Sequence, residues 1–340
     1  MNQHFQSRTH CMADAELSAT DGLRMKTVLY LAPLHGVTNR VFRQAYFKYF
    51  SGFDAAMAPF IQSVKAGSRV ATHFKDLLPG FDVACPVIPQ ILGNDASDFV
   101  DTARVMADLG YHEANWNLGC PYPMVTGKGR GSGLLPQPDR IDAILDQVCA
   151  RSPIPVSVKL RLGFKNPQEI LALMPILNRH PLSKVVIHPR LASQMYEGQV
   201  DLDGFEQACA LSLHPVMYNG DIRDVRTYEA LSSRFPGIQE WMLGRGAISD
   251  PFLPARIKGL QTPGKPAVRI QAFHDELLDA YREILSGQKH LMDKMKEVWT
   301  FLGLWFSADP RWLKKIAGAK TLEAYRAAVQ LAFVEPGQPG

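Results

Sequence analysis

Between Thr27 and about Gly259, short β-branched apolar runs alternate with longer amphipathic stretches, the pattern of strand–helix units that assemble a parallel sheet. Eight runs read as strands: Thr27–Pro33, Asp54–Pro59, Pro86–Leu92, His112–Asn117, Val156–Leu162, Lys184–His188, Pro215–Asn219 and Ile238–Leu243. Helix-length segments lie between most of them, at Ala96–Leu109, Pro138–Ala150, Pro167–Asn178 and Arg223–Ser233. The stretch Phe60–Val83 has no regular period and predicts an irregular connection. Eight such units within residues 27–262 predict an α/β fold of the (β/α)8 TIM-barrel type rather than an open doubly wound sheet.

After the breaker-rich run Thr262-Pro263-Gly264-Lys265-Pro266 the strand signals stop. Helical periodicity continues from Ile270 through Gln330, which predicts a small all-helical C-terminal domain over 267–335. Within it, Ser286–Lys320 carries seven Lys or Arg against three acids, interleaved with Trp299, Trp305 and Trp312. One reading is a helical bundle with buried tryptophans and a solvated basic face. The other is an RNA grip, with Lys294, Arg311, Lys314 and Lys315 on phosphates. Residues 1–26 lack the apolar stretch of a secretion signal and read as a polar tail.

The 340 residues are 46% hydrophobic and 21% charged, with a formal net charge of +4. That is ordinary globular composition, and with no apolar run of about 18 residues no membrane span is expected. The mild basic excess permits a polyanionic partner without demanding one. Five widely spaced cysteines (Cys11, Cys85, Cys120, Cys149, Cys209) form no C-x-x-C pair, so neither a metal site nor structural disulfides are expected. A cytoplasmic monomer is the expectation.

Barrel enzymes carry their chemistry at the C-terminal ends of the strands. In Val156-Ser157-Val158-Lys159-Leu160-Arg161-Leu162, period-two alternation sets Lys159 and Arg161 on one face and the apolar residues on the other. Two cations aimed at the barrel mouth call for an anion, unless an internal salt bridge absorbs them. The turns Asn219-Gly220-Asp221 and Gly244-Arg245-Gly246 end the seventh and eighth predicted strands, where this fold often binds phosphate, although glycines also mark ordinary turns. The fourth strand runs into Asn117-Leu118-Gly119-Cys120-Pro121. A thiol there, with an ordinary pKa of about 8.5, is mostly protonated at neutral pH and can give a proton; an inert half-buried cysteine is the plainer alternative. The following Gly127–Gly133 stretch reads as a loop.

Taken in order, these motifs resemble the tRNA-dihydrouridine synthase family. The matching pieces are Ala32-Pro33-Leu34-His35-Gly36-Val37, Gln90-Ile91-Leu92-Gly93, Asn117-Leu118-Gly119-Cys120-Pro121, Val158-Lys159-Leu160-Arg161-Leu162-Gly163, His188-Pro189-Arg190, Asn219-Gly220-Asp221 and Gly244-Arg245-Gly246. The resemblance implies FMN over the barrel mouth, with its phosphate near Gly244 and Arg245. Pro33, Leu34, His35, Gln90, Lys159, His188, Asn219, Gly220 and Asp221 would complete the cofactor-binding set. It further implies NADPH as reductant, hydride delivery to C6 of a uracil in tRNA, and protonation of C5 by Cys120. Asn117, Arg161 and Tyr196 would hold the base, and the helical domain would grip the RNA. His35, Leu34, Leu118 and Pro189 depart from the family's usual residues and mark a divergent branch. Two other readings stand beside this one: a flavoenzyme for a small pyrimidine, of the dihydroorotate or dihydropyrimidine dehydrogenase kind, and a catalytically silent RNA-binding protein on the same scaffold.

Overall fold

The computed structural model describes residues 27–78, 85–306 and 310–334; the polar segment 1–26 and residue 335 lie outside the described residues. One sheet holds ten parallel strands: β1 (Val28–Leu31), β2 (Ala55–Met57), β3 (Ile61–Gln62), β4 (Val87–Ile88), β5 (Gln90–Leu92), β6 (Ala114–Leu118), β7 (Val156–Gly163), β8 (Val185–Leu191), β9 (Val216–Tyr218) and β10 (Glu240–Leu243). The third predicted run is split into β4 and β5 by Pro89, which has no N–H to give a ladder. β4 pairs with β2, whereas β5 pairs with both β3 and β6. With β10 pairing β1, both flanks of the split run are bonded and the sheet closes on itself as a barrel. The irregular stretch after Phe60 contains strand β3 and the short helix Val70–His73, both too brief to leave a periodic signature.

Alternation along the strands divides the core in two. Leu29, Trp116, Leu118, Val158, Leu160, Leu162, Val185, Ile187, Tyr218, Trp241 and Leu243 face outward into one large apolar cluster beneath the helices. Tyr30, Ala32, Ala55, Met57, Val186, Met217 and Met242 form a small cluster inside the barrel. The floor is closed by Lys184, which donates to Glu240 at 2.8 Å and to Tyr30 at 3.1 Å. Three of the barrel helices begin where short polar side chains accept orphan backbone N–H groups: Asp95 from Asp98, Asp201 from Gly204 and Asp224 from Thr227.

From Pro266 onward every described element is helical: Pro266–Ile284, Gly287–Leu302 with a 3-10 turn at Gly303–Phe306, Pro310–Gly318 and Leu322–Val334. Their apolar faces share a core with the barrel helix Arg40–Tyr49, so that Phe42, Tyr46 and Phe50 pack with Ile270, Phe273 and Leu277. Phe273 meets Phe42, Tyr46 and Phe50 edge-on at 5.6, 6.2 and 5.1 Å. Asn39 caps the barrel helix by accepting from Phe42 N–H, and also accepts the Tyr281 hydroxyl at 2.9 Å. Trp299 is buried against Phe306 and Trp312, so this tryptophan serves the bundle interior. Among the described residues no helix is long and apolar enough to cross a membrane.

Because Phe273 packs edge-on against the barrel helix's Phe42, Tyr46 and Phe50, Phe273→Ala should cost about 3–5 kcal/mol of unfolding free energy. Chemical denaturation measures this, and a loss below about 1 kcal/mol would show that the helical region and the barrel do not share a core.

Candidate active site

At the C-terminal end of the strands lies a cavity of about 430 Å³, within the range of cofactor sites. Its walls include Pro33, Leu34 and His35 after β1, Asn117 and Cys120 at the end of β6, and Lys159 and Arg161 on β7. His188 and Tyr196 come from β8 and the loop beyond it, Asn219, Gly220 and Asp221 follow β9, and Gly244 and Arg245 follow β10. Gln90 is not part of the lining. It is fully buried one layer behind, where Met57, Asn115 and Asn117 consume its amide.

Cys120 is held from three directions. Its N–H and that of Gly119 donate to Asn117 Oδ1 at 2.9 and 3.1 Å. Its carbonyl accepts from Ser132 N and Oγ at 3.1 and 2.9 Å. The glycine-rich stretch is thus the latch behind the cysteine. Gly131 has φ +56, and a Cβ there would stand 2.8 Å from the Cys120 carbonyl oxygen, so only glycine fits. Burial pushes the Cys120 thiol up; the Tyr122 backbone and the charges of Arg161 and Lys159 pull it the other way without overcoming the burial. The thiol keeps its proton at neutral pH.

The two β7 cations have different surroundings. Arg161 donates to the carbonyls of Gly119 at 3.0 Å and Leu191 at 2.8 Å, tying the loops after β6 and β8 together. Neither Arg161 nor Lys159 forms a salt bridge among the described residues. Protein atoms surround Lys159, and that desolvation, with the Arg161 charge beside it, brings its ammonium down to about 7. His188 is driven well below its ordinary value by burial and by Arg161, Lys159, Arg190 and Arg245, so it is neutral. Its Nε2 lies 3.2 Å from Arg190 Nη1; a guanidinium only donates, so Nε2 accepts and the ring proton sits on Nδ1.

Asp221 binds three guanidiniums: Arg190 at 2.5 Å, Arg245 at 2.8 Å and Arg223 at 3.3 Å. Burial opposes its charge, yet these arginines outweigh it and hold the carboxyl below the usual range. One carboxylate among three guanidiniums leaves the mouth net positive. Tyr196 lies between Arg161 and Arg245, whose Cζ atoms are 5.2 and 5.3 Å from its ring centroid. Met195 before it has φ 51, the one non-glycine residue with positive φ among the described residues. Such a conformation costs of order 1 kcal/mol, and it turns Tyr196 into the cavity.

Sequence reasoning missed the contribution of the helical region. Glu297, Thr300 and Phe301 of Gly287–Leu302 also line the cavity, as does Phe60, on which His35 stacks at 5.1 Å. Gly36, with φ +85, leaves room for Glu297, and its carbonyl accepts from Lys294, which pairs with Glu297 at 3.0 Å. Lys294, read as a phosphate contact, is therefore spent joining the helices to the β1 loop. Lys314 and Lys315 are exposed on Pro310–Gly318. The one local sign of the wall is Glu297 lying three residues from a lysine, which also fits a solvated helix face.

Comparison with known proteins follows the same outline. Residues 30–333 match the family model described as dihydrouridine synthase. The tRNA-dihydrouridine(16) synthase of Cupriavidus necator is 30% identical over 70% of this chain and 76% of its own length. A probable tRNA-dihydrouridine synthase of Rhodobacter capsulatus is 29% identical over 78% of this chain and 82% of its own. The tRNA-dihydrouridine synthase B of Escherichia coli is 28% identical over 68% and 71%. In fold, the chain is similar to morphinone reductase in complex with tetrahydroNAD, at a TM-score of 0.50 and 11% identity, covering 72% of this chain and 89% of that one. A match over nearly all of the described residues, running from β1 to the last helix, shows that the chain belongs to the dihydrouridine synthase family.

Proposed function

We propose that this protein is an FMN-dependent tRNA-dihydrouridine synthase, which uses NADPH to reduce the C5–C6 double bond of specific uridines in tRNA. The observation that carries the reading is the meeting, in one cavity, of the buried Cys120 thiol with two cations, Lys159 and Arg161, that form no salt bridge among the described residues. Family membership and the names of the relatives support it. The residues fit a flavin: Pro33 and Leu34 offer an apolar wall, Lys159 a cation for the electron-rich edge of the ring, and Arg245 with Gly220 and Gly244 a place for a phosphate. When bound, FMN supplies the hydride for C6 of the uracil.

This chain's own groups do the rest. Cys120 gives its proton to C5, and its burial keeps that proton in place until the base arrives. Asn117 and Arg161 orient the base, Tyr196 borders it, and neutral His188 adds a hydrogen-bonding group without further charge. A uridine inside tRNA must be flipped out to reach this depth. The helical segment 267–335 would hold the surrounding RNA, with Lys314 and Lys315 as phosphate contacts. The working state we propose is a cytoplasmic monomer.

Two experiments test the reading. In Cys120→Ala, FMN content and anaerobic bleaching by NADPH should stay at the parent's level, while reoxidation by unmodified tRNA falls by about 100-fold to 10,000-fold. Reoxidation at the parent rate would remove Cys120 as the acid, and a parent that ignores tRNA but responds to a free pyrimidine would move the activity to small molecules. The second concerns pH. Lys159 carries its charge below about 7 and loses it above, and only the charged form attracts an electron-rich flavin. FMN affinity should therefore weaken between pH 7 and 9, by at most about tenfold per unit for one proton. Fluorescence titration reads this directly, and Lys159→Met should flatten the dependence.

A further inference from the structure

Four buried polar side chains run in a single file from the barrel interior to the Cys120 loop. Ser157 Oγ accepts from Asn115 Nδ2 at 2.9 Å, Asn115 Oδ1 accepts from Gln90 Nε2 at 2.8 Å, and Gln90 Oε1 accepts from Asn117 Nδ2 at 2.7 Å. The file ends where Asn117 Oδ1 accepts the backbone N–H groups of Gly119 and Cys120. Ser157, Asn115 and Gln90 are 0% exposed, and Asn117 is 8% exposed at the cavity wall.

The direction of this file follows from one end. A backbone N–H can only donate, so the atom of Asn117 facing Gly119 and Cys120 must be its oxygen. Its nitrogen then faces Gln90, which must answer with oxygen, and the same reasoning passes through Asn115 to the serine. The second N–H of Gln90 is taken by Met57 sulfur at 3.2 Å, which leaves that amide no reason to turn. Asn117 can therefore offer the cavity only its remaining N–H, for which the described residues supply no acceptor. Flipping the amide would set two oxygens against each other at Gln90 and leave the buried N–H of Cys120 and the half-buried N–H of Gly119 unmet, a heavy penalty at low local dielectric.

We propose that Gln90, Asn115 and Ser157 are positioning residues that lock Asn117 as a donor, so that the site accepts the C4 carbonyl of uracil and rejects the C4 amino group of cytosine. This rests on the reading of Cys120 as the proton donor to C5. C4 is bonded to C5, and Asn117 and Cys120 line the same cavity with Asn117 holding the Cys120 backbone directly, so a base placed with C5 at Cys120 would bring its C4 substituent toward the Asn117 N–H. An N–H meeting a carbonyl oxygen is a hydrogen bond; the same N–H meeting an amino group is a clash of donors, which leaves buried polar groups unpaired.

The test pairs protein and substrate substitutions. Once dihydrouridine mapping has located the target, two transcripts are compared, one with uridine and one with 4-thiouridine there, whose sulfur is a poorer acceptor. Both equilibrium binding to the oxidised protein and reoxidation of the reduced protein are measured. The parent should prefer uridine by about tenfold, the value of one hydrogen bond. In Gln90→Leu the preference should collapse toward unity, in Ser157→Ala it should shrink, and in Ser157→Thr, which keeps the oxygen, it should persist. FMN content and melting temperature report folding, and if Gln90→Leu fails them the serine pair decides. An unchanged preference in Gln90→Leu or Ser157→Ala, or no preference in the parent, overturns the inference. A parent that does not act on tRNA at all overturns the underlying functional reading, and this inference with it.

Discussion

Positive charge that no carboxylate among the described residues neutralises is the constraint on which the rest of this structure turns. Lys159 and Arg161 project from one strand into a cavity whose acids are already engaged: Asp221 with three arginines and Glu297 with Lys294. Burying cations in this way is unfavourable, and the barrel around them is arranged to bear it. Arg161 is satisfied by carbonyls from two loops, His188 gives up its charge, and the Lys159 ammonium is brought close to release of its proton. An anionic or electron-rich ring placed there would relieve the whole cluster at once.

Much of this is legible in the chain's own pattern, because a strand's period of two is a local property. Seven residues of sequence suffice to place Lys159 and Arg161 on one face, and the outward packing of Val158, Leu160 and Leu162 follows from the same alternation. The same logic reaches Asn219 and Gly244, which directly follow β9 and β10, and His188, which the structure sets within β8 because that strand runs on to Leu191. Gln90 is different. Its place depends on Met57, Asn115 and Asn117, contributed by two other strands, and nothing in Gln90-Ile91-Leu92-Gly93 reveals that its amide is used up inside the wall. Strand β3 leaves no signal, since two residues make no period. Lys294 is misplaced by sequence because a basic run on a helix does not say which of its lysines turns inward.

The helical region is also more than an appendage to the barrel. Its first helix shares aromatic packing with the barrel helix that follows β1, and its second brings Glu297, Thr300 and Phe301 to the cavity. The joint is made at Gly36, whose backbone conformation, missing side chain and carbonyl are all used by Glu297 and Lys294. A barrel without these helices would have an open wall beside His35 and Leu34.

Keeping the Cys120 thiol neutral has an effect outside the reaction itself. Peroxides and alkylating agents attack cysteine through its thiolate, and the thiolate is what burial suppresses at this position. A sulfur so buried is thereby slow to climb toward sulfenic and sulfinic acid. The desolvation that keeps the Cys120 proton in place also gives the residue chemical durability.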